Sequence, residues 1–89
     1  MRLSEEDRLA IVEEARRAGI ESVFVFGSVL DDDVEPRDID VAVEGVPRGA
    51  LFRFHAALSR RLSKPLDVVD LRQRNPLTRL VARKAVRLG

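Results

Sequence analysis

Two short apolar runs separated by a polar loop constrain this chain more than any other feature. Val23 to Phe26 closes on Gly27-Ser28, and eleven residues after Gly27 comes Asp38-Ile39-Asp40, opening a second run through Val43. The first run has too many consecutive apolar residues for a strand with one wet face, so it reads as a strand covered on both sides. In the second, carboxylates at i and i+2 on a strand point to the same face. There they can share divalent cations, while the Gly-Ser turn offers backbone N–H groups and a hydroxyl to phosphate oxygens.

The rest of the chain supplies helices around these runs. Ser4 to Ala18 is amphipathic, with Leu9, Ile11, Val12 and Ala15 as its apolar stripe, Glu13 and Arg17 as an i,i+4 pair, and Gly19 as its stop. Ser4 with Asp7 three residues on resembles a capping box. Pro47 opens a helix to about Ser63, on which Leu51, Phe54, Leu58 and Leu62 recur on one face, and Lys64-Pro65 ends it. Leu66 to Leu71 reads as a third strand, and Asn75-Pro76 as the cap and first turn of a last helix. The expected order is α-β-β-α-β-α: a single α+β domain over residues 1–89, a small mixed sheet with helices packed on it.

Composition narrows the chemistry. Eighty-nine residues leave no room for a separate substrate domain, and a core this small gains from a partner or from self-association. With no cysteine, thiolate metal sites and disulfides are excluded, leaving carboxylates as the obvious ligands. No stretch reaches membrane-span length and Met1 to Glu6 is no signal peptide, so the expectation is a cytoplasmic protein. After Asp70 the chain has no acid but has Arg72, Arg74, Arg79, Arg83, Lys84 and Arg87. That segment suits a triphosphate, RNA or an acidic partner surface, or is simply a solvated helix face. A nucleic-acid partner ranks lowest, because Trp and Tyr are absent and the four Phe suit an apolar core.

The candidate site is Asp38, Asp40 and Asp67. Magnesium takes hard oxygen ligands, and two such ions on carboxylates can activate an attacking hydroxyl and stabilise leaving pyrophosphate. The plain alternative is that Asp38 and Asp40 merely border a strand and a turn. Asp67 and Asp70 compete for the third place and, three apart on a strand, face opposite ways. Asp67 interrupts the run Leu66 to Val69, where a carboxylate needs a reason to be; Asp70 sits at the strand exit. Gly27 permits close approach to a ligand and Ser28 can bond a phosphate oxygen, unless Ser28 only caps a helical turn. Asp31-Asp32-Asp33 reads as a solvated turn, and His55, the lone histidine, as structural.

These motifs together resemble the minimal nucleotidyltransferases of the DNA polymerase β superfamily, the antitoxins of HEPN/MNT toxin–antitoxin pairs. Phe26-Gly27-Ser28 is similar to that family's Gly-Ser motif, Asp38-Ile39-Asp40 to its Asp-x-Asp, and Asp67 to its third carboxylate; Ala85 to Gly89 resembles its last helix and terminal glycine. The resemblance implies a palm-like fold, magnesium (manganese as a substitute), ATP as substrate, and transfer of AMP to a tyrosine of a HEPN ribonuclease partner. Asp38, Asp40 and Asp67 would be catalytic and metal-binding, with Gly27, Ser28 and Arg37 at the nucleotide. Two departures stand out. Val29-Leu30-Asp31 replaces the Ala-Arg-Gly segment of many members, and Arg37 stands where a serine often precedes the first aspartate. Arg37 would then replace the missing basic group. The alternative function is an antitoxin that neutralises its partner by complex formation alone.

Overall fold

The computed structural model describes residues 1–89. Its elements are α1 (Glu5–Arg17), β1 (Ser22–Phe26), a 3-10 turn (Gly27–Leu30), β2 (Ile39–Glu44), α2 (Ala50–Ser59), β3 (Leu66–Asp70), α3 (Pro76–Lys84) and β4 (Val86–Arg87). The sheet order is β3-β2-β1-β4. β1 is antiparallel to both β2 and β4, whereas β2 and β3 run parallel. The result is a mixed four-stranded α+β domain.

One face of the sheet carries Val23, Val25, Ile39, Val41 and Val43 against Ile11 of α1 and Phe54 and Leu58 of α2, within a core of 13 residues. Fully burying such a side chain stabilises by about 1.5–3 kcal/mol, so this cluster is the main adhesive of the fold. β1 and β2 are the two interior strands, and β1 has no fully exposed side chain, as its unbroken apolar run leads one to expect: Val23 and Val25 are buried, Phe24 and Phe26 half-buried.

Helix α3 lies on the opposite face, and chain handedness explains why. β2–α2–β3 steps outward to one edge, whereas β3–α3–β4 returns across the whole sheet to the other. Both join parallel strands and both crossovers must be right-handed, so the two helices fall on opposite faces. In agreement, Ala42 (0 % exposed) and Val81 (4 % exposed) are buried yet lie outside the cluster beneath α1 and α2. Asn75 caps α3 reciprocally with Thr78, the box that Asn75-Pro76 announces.

Several local expectations are corrected. The stretch Ala85 to Gly89 is not helical: Val86–Arg87 forms β4, pairing with Val25 and Phe24, because the exposed edge of β1 offers ladder partners that a longer helix could not use. Helix α2 starts at Ala50 rather than Pro47 and ends at Ser59 rather than Ser63, since Gly49 adopts a left-handed conformation (φ 78°) immediately before it. In α1, Ser4 accepts from the Asp7 N–H as expected, but the Asp7 carboxylate turns to the Ser63 N–H (3.1 Å) and hydroxyl (2.6 Å) instead of closing a box. The buried face of α1 is Asp7, Ala10, Ile11, Glu14 and Ala15, with Leu9 exposed. Arg17 pairs with Glu14, not Glu13, and Glu13 reaches Arg61. His55 is exposed, 3.4 Å from the Ser59 hydroxyl, and takes no place in the core.

Candidate active site

The acidic residues meet at one end of the α3 face. Asp40 of β2 stands in register with Asp67 of β3, and in a parallel pair such residues project to the same side. Asp38 lies in the bend just before β2, close enough for its charge to act on Asp40. On the other flank Phe26 of β1 pairs with Asp40, so the chain leaves β1 into Gly27 directly beside it. Asp70 is opposite Val43 on the other face and accepts from the Arg72 N–H at 2.9 Å, a turn contact. Asp67 and Asp70 thus face opposite ways, as their odd spacing along the strand requires.

Gly27 is fixed by this proximity. Its φ is 78°, and a Cβ there would sit 2.3 Å from Asp40 Oδ2. No other residue fits without displacing the carboxylate. The chain then forms the 3-10 turn Gly27–Leu30, whose Val29 is fully buried in the core. That explains one departure from the family pattern: the segment after Gly-Ser here anchors the turn by apolar burial and supplies no cation. Ser28 lies within the turn, and its side chain caps nothing. Arg37 is exposed, beside Asp38 and in no ion pair.

None of Asp38, Asp40 and Asp67 is in an ion pair, although ion pairs are frequent elsewhere in the chain. The consequence is electrostatic. Partial burial pushes the Asp40 carboxyl above the ordinary carboxylate range, and the charges of Asp67 and then Asp38 push it the same way. The three aspartates do not form a ready-made three-ligand cage around one point. Magnesium does not require one: it is commonly held by one or two carboxylates, with waters and substrate phosphates completing the shell. An oxygen-only donor set, unpaired and mutually repelling, fits such a cation.

The loop between the two motifs is held by contacts that local sequence does not announce. The Arg2 N–H donates to the Val29 carbonyl at 2.6 Å, and the Arg2 guanidinium donates to the Asp32 carbonyl and to Glu35. Lys64 donates to Glu35 from the segment before β3. The Met1 amine pairs with Asp32. Asp31 accepts from the Asp33 N–H, as a solvated turn would. At the other side of the site, α3 runs antiparallel to β3. Its basic last turn, Arg83 and Lys84, thus ends at the sheet end where the aspartates lie.

Solved structures share this arrangement of elements. A toxin–antitoxin complex with AMP-PNP superposes with a TM-score of 0.74 at 22% identity, over 92% of this chain and 72% of that one. A tri-AMPylated Shewanella oneidensis HEPN toxin in complex with its MNT antitoxin gives 0.70 at 22%, over 93% and 69%. A structure assigned as a minimal nucleotidyltransferase gives 0.70 at 30%, over 89% and 86%. No curated protein sequence matches. The sequence profile described as Polymerase beta, Nucleotidyltransferase matches residues 10–88, and this chain belongs to that family.

Proposed function

We propose that the protein is a magnesium-dependent nucleotidyltransferase that moves AMP from ATP to a hydroxyl of a HEPN-type toxin and so acts as an antitoxin. The observation that supports this reading is Asp40 in register with Asp67, with Asp38 near enough for its charge to act on Asp40, all three outside any ion pair and beside a glycine whose Cβ would collide with Asp40. Bound there by those carboxylates, magnesium (or manganese) would neutralise triphosphate charge. Gly27 and Ser28 approach the phosphates closely, and Arg37 supplies the free cation nearest to them. The acceptor oxygen forms its bond to the α-phosphorus as the bond to pyrophosphate breaks, and Asp67, exposed and facing Asp40, takes the hydroxyl proton. The AMPylated toxin found with a related antitoxin supports this choice of acceptor class.

Docking of the partner would select the acceptor. Leu77 (57 % exposed) and Leu80 (49 % exposed) form an apolar strip on α3 among Arg79, Arg83 and Lys84, suited to an acidic face with an apolar centre. Incubation with labelled ATP, magnesium and the toxin should place label on the toxin. The variant Arg79→Glu/Arg83→Glu should lose toxin binding but keep ATP binding. The loss of a basic group after Gly27-Ser28, where Val29 is core, favours a second reading: neutralisation by complex formation alone. Full protection of cells by Asp38→Asn/Asp40→Asn would establish that second reading and end the first.

A further inference from the structure

A hollow of about 380 Å³ opens between the end of α1 and the start of α2. It lies at the far end of the sheet from the aspartates and on the opposite face, because α2 follows the last residue of β2 whereas Asp38 precedes its first. Three guanidinium groups line it, from Arg17, Arg48 and Arg53, over a floor that includes Ala18, Ala50 and Ala57. Arg48 and Arg53 make no ion pair and no hydrogen bond within the protein. The one acid on the wall, Glu14, is already held by Arg17 and Arg61, each at 2.8 Å. The wall is therefore net positive and lacks a counter-charge of its own. Helix α2 adds to this: it has no side-chain cap and no acid in its first turn, and the space around Gly49 is open.

We propose that this hollow is a second ligand site, which takes the phosphate ester group of a small metabolite of about mononucleotide size. Arg48 and Arg53 bind the phosphate oxygens, assisted by the Leu51 and Phe52 amides of α2, the Ala50 amide being taken by the Pro47 carbonyl, and the alanine floor receives the body of the ligand. Phosphate is preferred to a carboxylate because two free guanidinium groups and a helix end present donors in more directions than two coplanar oxygens can use. The site is separate from the aspartates and does not depend on the transfer reaction.

The test uses the whole protein without divalent cation, titrated with inorganic phosphate, ribose 5-phosphate, AMP and, as a carboxylate control, glutarate, while backbone amide resonances are followed. Saturable shifts should centre on Ala50 to Arg53, persist in Asp38→Asn/Asp40→Asn, and weaken at least tenfold in Arg48→Gln/Arg53→Gln, whose exposed positions leave the fold intact. Three results would overturn the site: no saturation by any phosphate probe at millimolar concentration, unchanged binding by the arginine variant, or shifts confined to Gly27 and Ser28 with every phosphate probe. Glutarate binding as tightly as the phosphates would overturn the ligand class. Because no acceptor, metal or turnover enters the measurement, its outcome is independent of whether the protein transfers AMP.

Discussion

Two groups of acids sit on opposite faces of the sheet and are treated in opposite ways. On the helix side, Asp7 is clasped by Ser63, Glu14 by Arg17 and Arg61, and Glu13 by Arg61. On the α3 side, Asp38, Asp40 and Asp67 have no such partners, and Asp40 is destabilised as an anion by burial and by the other two. Burying a carboxylate is tolerable when donors surround it, and crowding carboxylates without donors is costly. The first group holds the fold together. The second is unfavourable as it stands, in keeping with the cation site proposed for it.

Substitution separates the groups most sharply. Asp38→Asn/Asp40→Asn should cut nucleotidyl transfer on the order of 10³-fold, equivalent to about 4 kcal/mol of transition-state stabilisation, with melting temperature unchanged or raised. Radiolabel transfer and thermal melts of the same samples check both halves. Ser28→Ala should weaken ATP binding by about 1.5–3 kcal/mol, the value of a charge-assisted hydrogen bond, as read by calorimetry. Asp7→Ala and Arg61→Ala should each lower unfolding free energy by about 1–3 kcal/mol in urea, while transfer per folded molecule stays normal. If the helix-side variants abolished chemistry without loss of stability, the contrast between the faces would fail.

pH gives the smallest effect but a distinctive sign. The raised Asp40 pKa means the folded state takes up this proton more readily than the unfolded chain. The Asp40 contribution is therefore least favourable at neutral pH and improves as pH falls through the raised value. Glu13 is the reverse: the Arg61 hydrogen bond and charge hold it below the usual carboxylate range. Its contribution is present above the unfolded pKa and is lost as pH falls through the folded one. On acidification from neutral pH, Asp40→Asn should remove a gain in stability that sets in above the ordinary Asp range, whereas Glu13→Gln should remove a loss that sets in only below the ordinary Glu value, as thermal melts across pH would show.

The candidate site was legible as a pattern because the chemistry proposed for it dictates residue types at short, fixed spacing. Gly27-Ser28 and Asp38-x-Asp40 declare themselves as motifs; strand parity separates Asp67 from Asp70, and the apolar run that Asp67 interrupts decides between them. The stripe of α1 was misread because Asp7 and Glu14 occupy its buried side, and an apolar count passes over acids whose partners, Ser63 and Arg61, lie far along the chain. β4 was missed because two residues carry no period; the open edge of β1 makes it a strand. The anchoring of the motif loop by Arg2, Glu35 and Lys64, and the meeting of Arg17 with Arg48 and Arg53, depend on long-range packing and have no local signal.

The central claim is that the unpaired aspartates hold a cation while the paired acids hold the fold. Thermal unfolding of wild type, Asp40→Asn and Glu13→Gln, each with and without magnesium and a non-hydrolysable ATP analogue, tests it most directly. Metal with nucleotide at about a hundred times its dissociation constant should stabilise wild type and Glu13→Gln by about 2.7 kcal/mol. Asp40→Asn should be as stable as wild type or more so without ligand, and should lose most of that response. An equal response in all three proteins would contradict the account, as would an Asp40→Asn protein that is markedly less stable in the absence of ligand.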